Sequence, residues 1–249
     1  MGKRRQPAPR RRTRAMIVAE IETYLREQTA WADAEEVERL LIGAKAGETE
    51  AAAEFLFMLP NLARGRFVDL CFRLGLPAPA LRAVLHDGWS HDHAHLWRAA
   101  GSFRRLARWF ERAAFPLSPE LPDPVTVWRG TAGISPALAA DGISWTTRKP
   151  LAAWFACRRP GRGAPVVVSR TVPRSRVLLF TDERQEAEAV IFASGPFTID
   201  GTPEEWQALA DEYEARKKAE ETAWIAEAMA RHSPPAGDEA HGPREVPHA

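Results

Sequence analysis

The sequence predicts an α+β protein in which a helical N-terminal region packs on a strand-rich core. Three observations carry this. Apolar residues recur at helical spacing from about Ala15 to Phe115, prolines then cluster at Pro116, Pro119, Pro122 and Pro124, and short β-branched runs follow. At 249 residues, 45% hydrophobic and 27% charged, the chain has the composition of a globular protein with a sizeable core.

Residues 1–14 read as a disordered basic tail, since Lys3, Arg4, Arg5, Arg10, Arg11, Arg12 and Arg14 stand there without an acid. Such a tail also offers an accessory nucleic-acid contact. Residues 15–120 read as the helical region, punctuated at Gly43, Gly47, Pro60, Gly75, Pro77, Pro79 and the Asp87-Gly88 pair. Its clearest helix is predicted from about His91 to Phe115, where Leu96, Ala100, Phe103, Ala107 and Phe110 make one apolar stripe. The prolines that follow mark the domain boundary.

Residues 121–200 form the predicted core. Strands are expected at Val125–Trp128, Gly142–Thr147, Pro165–Val172, Arg176–Phe180 and Glu188–Phe192, with a short helix over Pro150–Ala156. A polar helix is expected over 201–231, burying Trp206, Leu209, Tyr213 and Trp224. Residues 232–249, rich in Pro, Gly and His, read as a second disordered tail.

Several function classes lose support at this stage. Cys71 and Cys157 are the only cysteines, too few for a disulfide framework or a clustered zinc site. No apolar stretch approaches the roughly 20 residues of a spanning helix, and no signal-peptide core follows the basic N-terminus, so a cytoplasmic protein without membrane contact is expected. His86, His91, His93 and His95 with Asp87 and Asp92 invite a metal reading. Only His91 and His95 share a helix face, so a structural role at a helix N-terminus, with Asp92 favoured by the dipole, is expected instead, and no metal. No phosphate-binding or dinucleotide-binding glycine loop is present.

Glu186 and Glu188 are the most informative residues. They open an apolar run, Glu188-Ala-Val-Ile-Phe192, where a half-buried strand ordinarily tolerates one acid at most. In an extended segment side chains two apart share a face, so both carboxylates project together and at least one proton affinity rises. A working site accepts that cost more readily than a wall does. Glu183 is a competing acid if the loop takes another register, and a turn with solvated glutamates is the plain alternative.

Three further features precede the pair in order: Trp128-Arg129-Gly130 at the end of a strand, Ser144-Trp145-Thr146 on the next, and the basic loop Arg158-Arg-Pro-Gly-Arg-Gly163 after a helix ending Trp154-Phe155-Ala156. This order resembles the arginine–serine–glutamate class of mono-ADP-ribosyltransferases, over roughly residues 125–195. Trp145 stands where that class usually has threonine, and Ala189 where it often has valine.

The resemblance implies two facing sheets with an NAD cleft between them, and transfer of ADP-ribose from NAD to a protein side chain, with arginine the first expectation. It assigns Glu188 to the nicotinamide ribose and Glu186 to the acceptor. Arg129 goes to the pyrophosphate, with Gly130 beside it, and Ser144 to the positioning of Glu188. Trp145, Thr146, Phe155 and Arg158 join the NAD-binding set, Thr146 supporting the strand. The chemistry agrees: cleaving the nicotinamide–ribose bond builds positive charge on the sugar, which a carboxylate stabilises. A protonated guanidinium is a poor nucleophile and needs a neighbouring base, and a guanidinium fork suits phosphate. Two alternatives stay open: an NAD glycohydrolase using water, and a catalytically silent fold that binds a partner or nucleic acid.

Overall fold

The computed structural model describes residues 12–192 and 194–232; of the tails expected to be disordered, 1–11 and 233–249 lie outside the described residues, while Thr13 caps a helix that Arg14 opens and His232 ends another. The helical region comprises α1 (Arg14–Gln28), α2 (Ala34–Ala46), α3 (Thr49–Met58), α4 (Asn61–Leu74), α5 (Ala78–Ala100) and α6 (Phe103–Ala113). Local chemistry sets their ends. Thr13 Oγ1 accepts from Met16 N at 3.3 Å to start α1, and Asp33 Oδ1 accepts from Glu36 N at 2.9 Å to start α2.

The single helix expected from His91 to Phe115 is instead the end of α5 and all of α6. Gly101 takes a left-handed φ of 69°, closing α5, and Ser102 Oγ accepts from Arg105 N at 3.3 Å, opening α6. Asp87 and Gly88, expected as a break, lie inside α5. The helix bends further on, at Asp92 (φ −137°, ψ 32°), whose buried carboxylate accepts from Arg64 Nη1 at 2.9 Å. The histidine-rich stretch thus straddles a break between two helical segments: Asp92 stands at the break, His93 and His95 open the second segment, and the Asp92 carboxylate also answers Arg64.

After the proline linker come β1 (Val125–Ala132), α7 (Pro136–Ala140), β2 (Ser144–Thr146), α8 (Lys149–Cys157), β3 (Pro165–Val172), β4 (Val177–Thr181), β5 (Glu188–Ile191), β6 (Thr198–Ile199) and α9 (Pro203–His232). Every strand expected from the sequence is present, with β6 and α7 in addition. In place of two facing sheets there is one antiparallel six-stranded sheet, ordered β4-β5-β2-β1-β3-β6. Its centre is thin. β1 pairs with β3 from Val125↔Val172 to Ala132↔Pro165, but with the three-residue β2 only at Trp128↔Thr146.

Helix α8 lies close against β1: a Cβ on Gly130 would stand 1.7 Å from the Ala152 carbonyl oxygen, so only glycine permits this approach. Helix α9 covers α8 through Trp206 and Tyr213, with Trp154 and Tyr213 rings 5.9 Å apart. Trp224, expected among its buried contacts, is 64% exposed, because α9 has by then run past the sheet.

The helical core, centred on Phe55, Phe67, Trp109 and Phe110, includes Leu179 of β4 and Val190 of β5. Phe192 continues the contact, its ring 6.0 Å from Phe110 and 6.4 Å from Phe103. The helical region is thus seated on the β4-β5 end of the sheet, where each fully buried aromatic or aliphatic side chain contributes roughly 1.5–3 kcal/mol. A second cluster, with Val127, Trp145, Val167 and Trp206, fills the sheet's own core. Among the described residues no helix is long and apolar enough to cross a membrane.

Candidate functional site

Glu188 begins β5 directly beside Thr146 of β2, and the residue is 4% exposed. A carboxylate so buried needs donors, and it has three. Oε1 accepts from Ser144 Oγ at 2.5 Å and from Trp89 Nε1 at 3.1 Å; Oε2 accepts from Arg184 Nη2 at 3.0 Å. Register explains the first: Ser144 pairs with Val190 and Thr146 with Glu188, so Ser144 and Glu188 are diagonal neighbours on one face. The positioning role expected for Ser144 has its geometric counterpart here.

Glu186 reaches the same place by another route than the one expected. It precedes β5, and the chain there is not extended, with left-handed φ values of 56° at Gln185 and 41° at Ala187. What brings the two acids together is Arg184, whose Nη2 lies 2.8 Å from Glu186 Oε2 and 3.0 Å from Glu188 Oε2. Burial raises the pKa of Glu186; Glu188 raises it further, while Arg184 and Arg158 oppose both. Left-handed angles at non-glycine residues cost on the order of 1–3 kcal/mol each, and a network holds them. Asp182 Oδ1 accepts from Ala187 N at 2.7 Å, Thr146 Oγ1 donates to the Glu186 carbonyl at 2.6 Å, and Arg148 binds Asp182 at 2.6 Å and the Gln185 carbonyl at 3.0 Å. Glu183, the competing acid, turns away from this pair to accept from Ser90 Oγ at 3.1 Å.

These groups line a cavity of about 540 Å³, within the range of small-molecule sites. Arg129, Gly130, Ser144, Trp145, Thr146, Phe155, Arg158, Glu186 and Glu188, the set expected from the sequence, all border it. Their contributions differ. Arg129 Nη1 donates to the Ser144 carbonyl, whereas its buried Nε has no partner among the described residues. Burial pulls the pKa of this guanidinium down, against the attraction of Glu188. A Cβ on Gly142 would stand 2.2 Å from the Arg129 Nε, so the guanidinium lies packed against that glycine. Trp145, though it borders the cavity, is 2% exposed and packed in the sheet core, and its Nε1 donates to the Gly142 carbonyl at 2.8 Å. Arg158 lies over Phe155 and Trp154, 4.4 and 4.7 Å from the ring centroids. Arg159 and Arg162 of the same basic loop are not at the cavity wall.

The opposite wall was not expected. Trp89, His93, Trp97 and Phe103, all from α5 and α6, close the cavity, with Trp97 and Phe103 edge-to-face at 4.2 Å. Trp89 packs edge-on against Phe110 at 5.2 Å and gives its N–H to Glu188. Arg184 was also missed as a site residue. It is anchored from the helical side too, donating to the Ser90 carbonyl at 2.8 Å. The available signals were the density of aromatics around the α5–α6 junction and the arginine two residues before Glu186. Among the described residues no group of three or more His, Cys, Asp or Glu side chains gathers as a metal site.

No family model, curated protein or solved structure matches the chain. The chemistry of the site must be read from its parts: a buried carboxylate fixed by neutral and charged donors, a second carboxylate of raised proton affinity beside it, guanidiniums at two sides, and an aromatic wall. Such a set can stabilise positive charge developing near Glu188, accept a proton at Glu186, and bind an anion and a flat ring.

Proposed function

We propose that the chain is a mono-ADP-ribosyltransferase of the arginine–serine–glutamate class, transferring ADP-ribose from NAD to a protein side chain, arginine first. One observation carries the reading most directly: buried Glu188 is held by Ser144 at 2.5 Å on the wall of a cavity that Arg129 also borders. NAD supplies the ADP-ribosyl group together with a nicotinamide leaving group.

The chain's own residues then divide the work. Ser144 and Trp89 fix one oxygen of Glu188 and Arg184 the other, holding the carboxylate on the cavity wall where positive charge develops on the sugar. Arg129, a guanidinium on the cavity wall, suits the pyrophosphate. Glu186, a stronger base through its burial, takes a proton from the incoming guanidinium. An arginine acceptor draws support from Arg184: the two carboxylates already share a guanidinium of the chain itself.

The test is labelling of a cell extract by purified protein with biotinylated NAD. Glu188→Gln is expected to lower labelling by about 10²–10³-fold, the scale for losing one preorganised electrostatic group, with its thermal melt retained. Equal labelling by the two proteins overturns the proposal.

A further inference from the structure

A second concavity, of about 360 Å³, lies between α1, α4 and α6 and shares no lining residue with the first. Its walls are Arg14, Phe72, Arg73, Arg105, Arg108 and Arg112. These residues come from three separate parts of the chain, so the cluster is a product of folding rather than of a local run. One acid answers it from within: Asp69 accepts from Arg73 at 2.8 Å and from Arg105. Arg112 donates to the Phe72 and Leu76 carbonyls and lies 5.7 Å from the Phe72 ring centroid. Arg14 and Arg108, both exposed, make no side-chain hydrogen bond or ion pair among the described residues.

The positive charge is therefore in excess. Burial lowers the pKa of Arg105, and Arg73 and Arg108 lower it further against the pull of Asp69. Converging like charges cost stability unless a counter-charge arrives. Solvated single arginines on a convex helix face would not converge in this way.

We propose that this cleft binds the phosphate backbone of a single-stranded nucleic acid. Guanidiniums grip phosphate oxygens in a fixed fork, and an aromatic ring beside a basic groove is how strands are held without sequence preference. Chain continuity favours an extended polyanion over a small nucleotide. Lys3, Arg4, Arg5, Arg10, Arg11 and Arg12 precede Arg14 in the sequence without an acid, so the cleft begins where a longer basic segment joins the fold.

The experiment is fluorescence anisotropy of a labelled single strand of about 20 nucleotides, a length that spans at least one such groove, titrated with the full chain at several salt concentrations. Arg14 and Arg108 make no side-chain hydrogen bond or ion pair among the described residues, so Arg14→Ala/Arg108→Ala should leave the melt unchanged. The double variant is expected to bind about tenfold more weakly. Its salt slope should fall by about 1.4, from two contacts at about 0.7 each. Arg14→Lys/Arg108→Lys, keeping both charges, should retain most of the slope. Inorganic pyrophosphate is expected to compete only at far higher concentration. The proposal is overturned if the full chain does not bind the strand, if the alanine variant keeps the parent slope, or if pyrophosphate binds as tightly as the strand. It is equally overturned if removing residues 2–11 abolishes binding while the alanine variant behaves as the parent.

Discussion

The two walls of the larger cavity are built from different chemistry by different means. The sheet wall is polar and fixed by hydrogen bonds: Ser144, Thr146 and Glu188 sit on paired strands, and their mutual distances follow from register. The helical wall is aromatic and fixed by packing: Trp97 and Phe103 stand where α5 ends and α6 begins, and Trp89, in the middle of α5, is seated on Phe110. Trp89 belongs to both, its ring in the helical core and its N–H on Glu188. A polar wall of this kind positions charge, and an aromatic wall excludes water and so strengthens every electrostatic interaction inside. The arrangement makes the helical region part of the site rather than a neighbour of it.

The largest effect should come from the joint that aims the helical wall. Asp92→Ala leaves the largely buried Arg64 without its carboxylate at the bend of α5, a change that costs about 3–5 kcal/mol. Chemical denaturation reads this directly, and a loss under about 1 kcal/mol would mean the bend is not held by that pair. Next is the sheet wall. Ser144→Ala removes a hydrogen bond to a buried carboxylate, worth about 1.5–3 kcal/mol. Labelling kcat should drop by roughly ten- to a hundredfold, with KM for NAD nearly unchanged. The helical wall should show the reverse split. Trp97→Ala removes an edge-to-face pair with Phe103 worth about 0.5–1.5 kcal/mol, so KM should rise by roughly two- to tenfold and kcat hold. Equal kcat losses from Ser144→Ala and Trp97→Ala would erase the distinction between the walls.

The same contrast governs how much was legible in the sequence. The β-branched run of β3 (Pro165–Val172) and the alternating start of β1 declare themselves within a few residues, so the strands were readable. The polar wall was readable because Glu186 and Glu188 open an apolar run, where a strand ordinarily tolerates one acid at most. The aromatic wall was not, since Trp89 meets Glu188 across 99 residues of sequence and only helix packing joins them. Periodicity misled at α5 and α6: the apolar spacing from Leu96 to Phe110 runs in phase through Gly101 and Ser102, whose backbone angles separate two helices. The acid pair was found for a reason that the backbone does not obey. Neither Gln185 nor Ala187 signals a left-handed φ, so the segment reads as extended, yet Arg184 gathers the carboxylates that alternation was expected to align. The single sheet was hidden for a like reason, because its continuity hangs on one pairing, Trp128↔Thr146, that no local pattern encodes.

The smallest predicted effect is a shift in pH dependence, read at the loop that carries Glu186. The pKa of Glu186 is raised first by burial and also by Glu188, and is restrained by Arg184 and, less strongly, by Arg158. If Glu186 is the base that takes the acceptor's proton, it must be ionised, so activity falls as pH drops through its pKa. Arg184→Ala removes the stronger restraint: the pKa rises further, and the acidic limb of the transfer profile moves to higher pH. Arg158→Ala should move it the same way by less. A carboxyl-carbon NMR titration of Glu186 reports the shift without any need for turnover, separating a changed proton affinity from a disturbed loop. A limb that stays fixed while the titration moves would assign the proton transfer to some group other than Glu186.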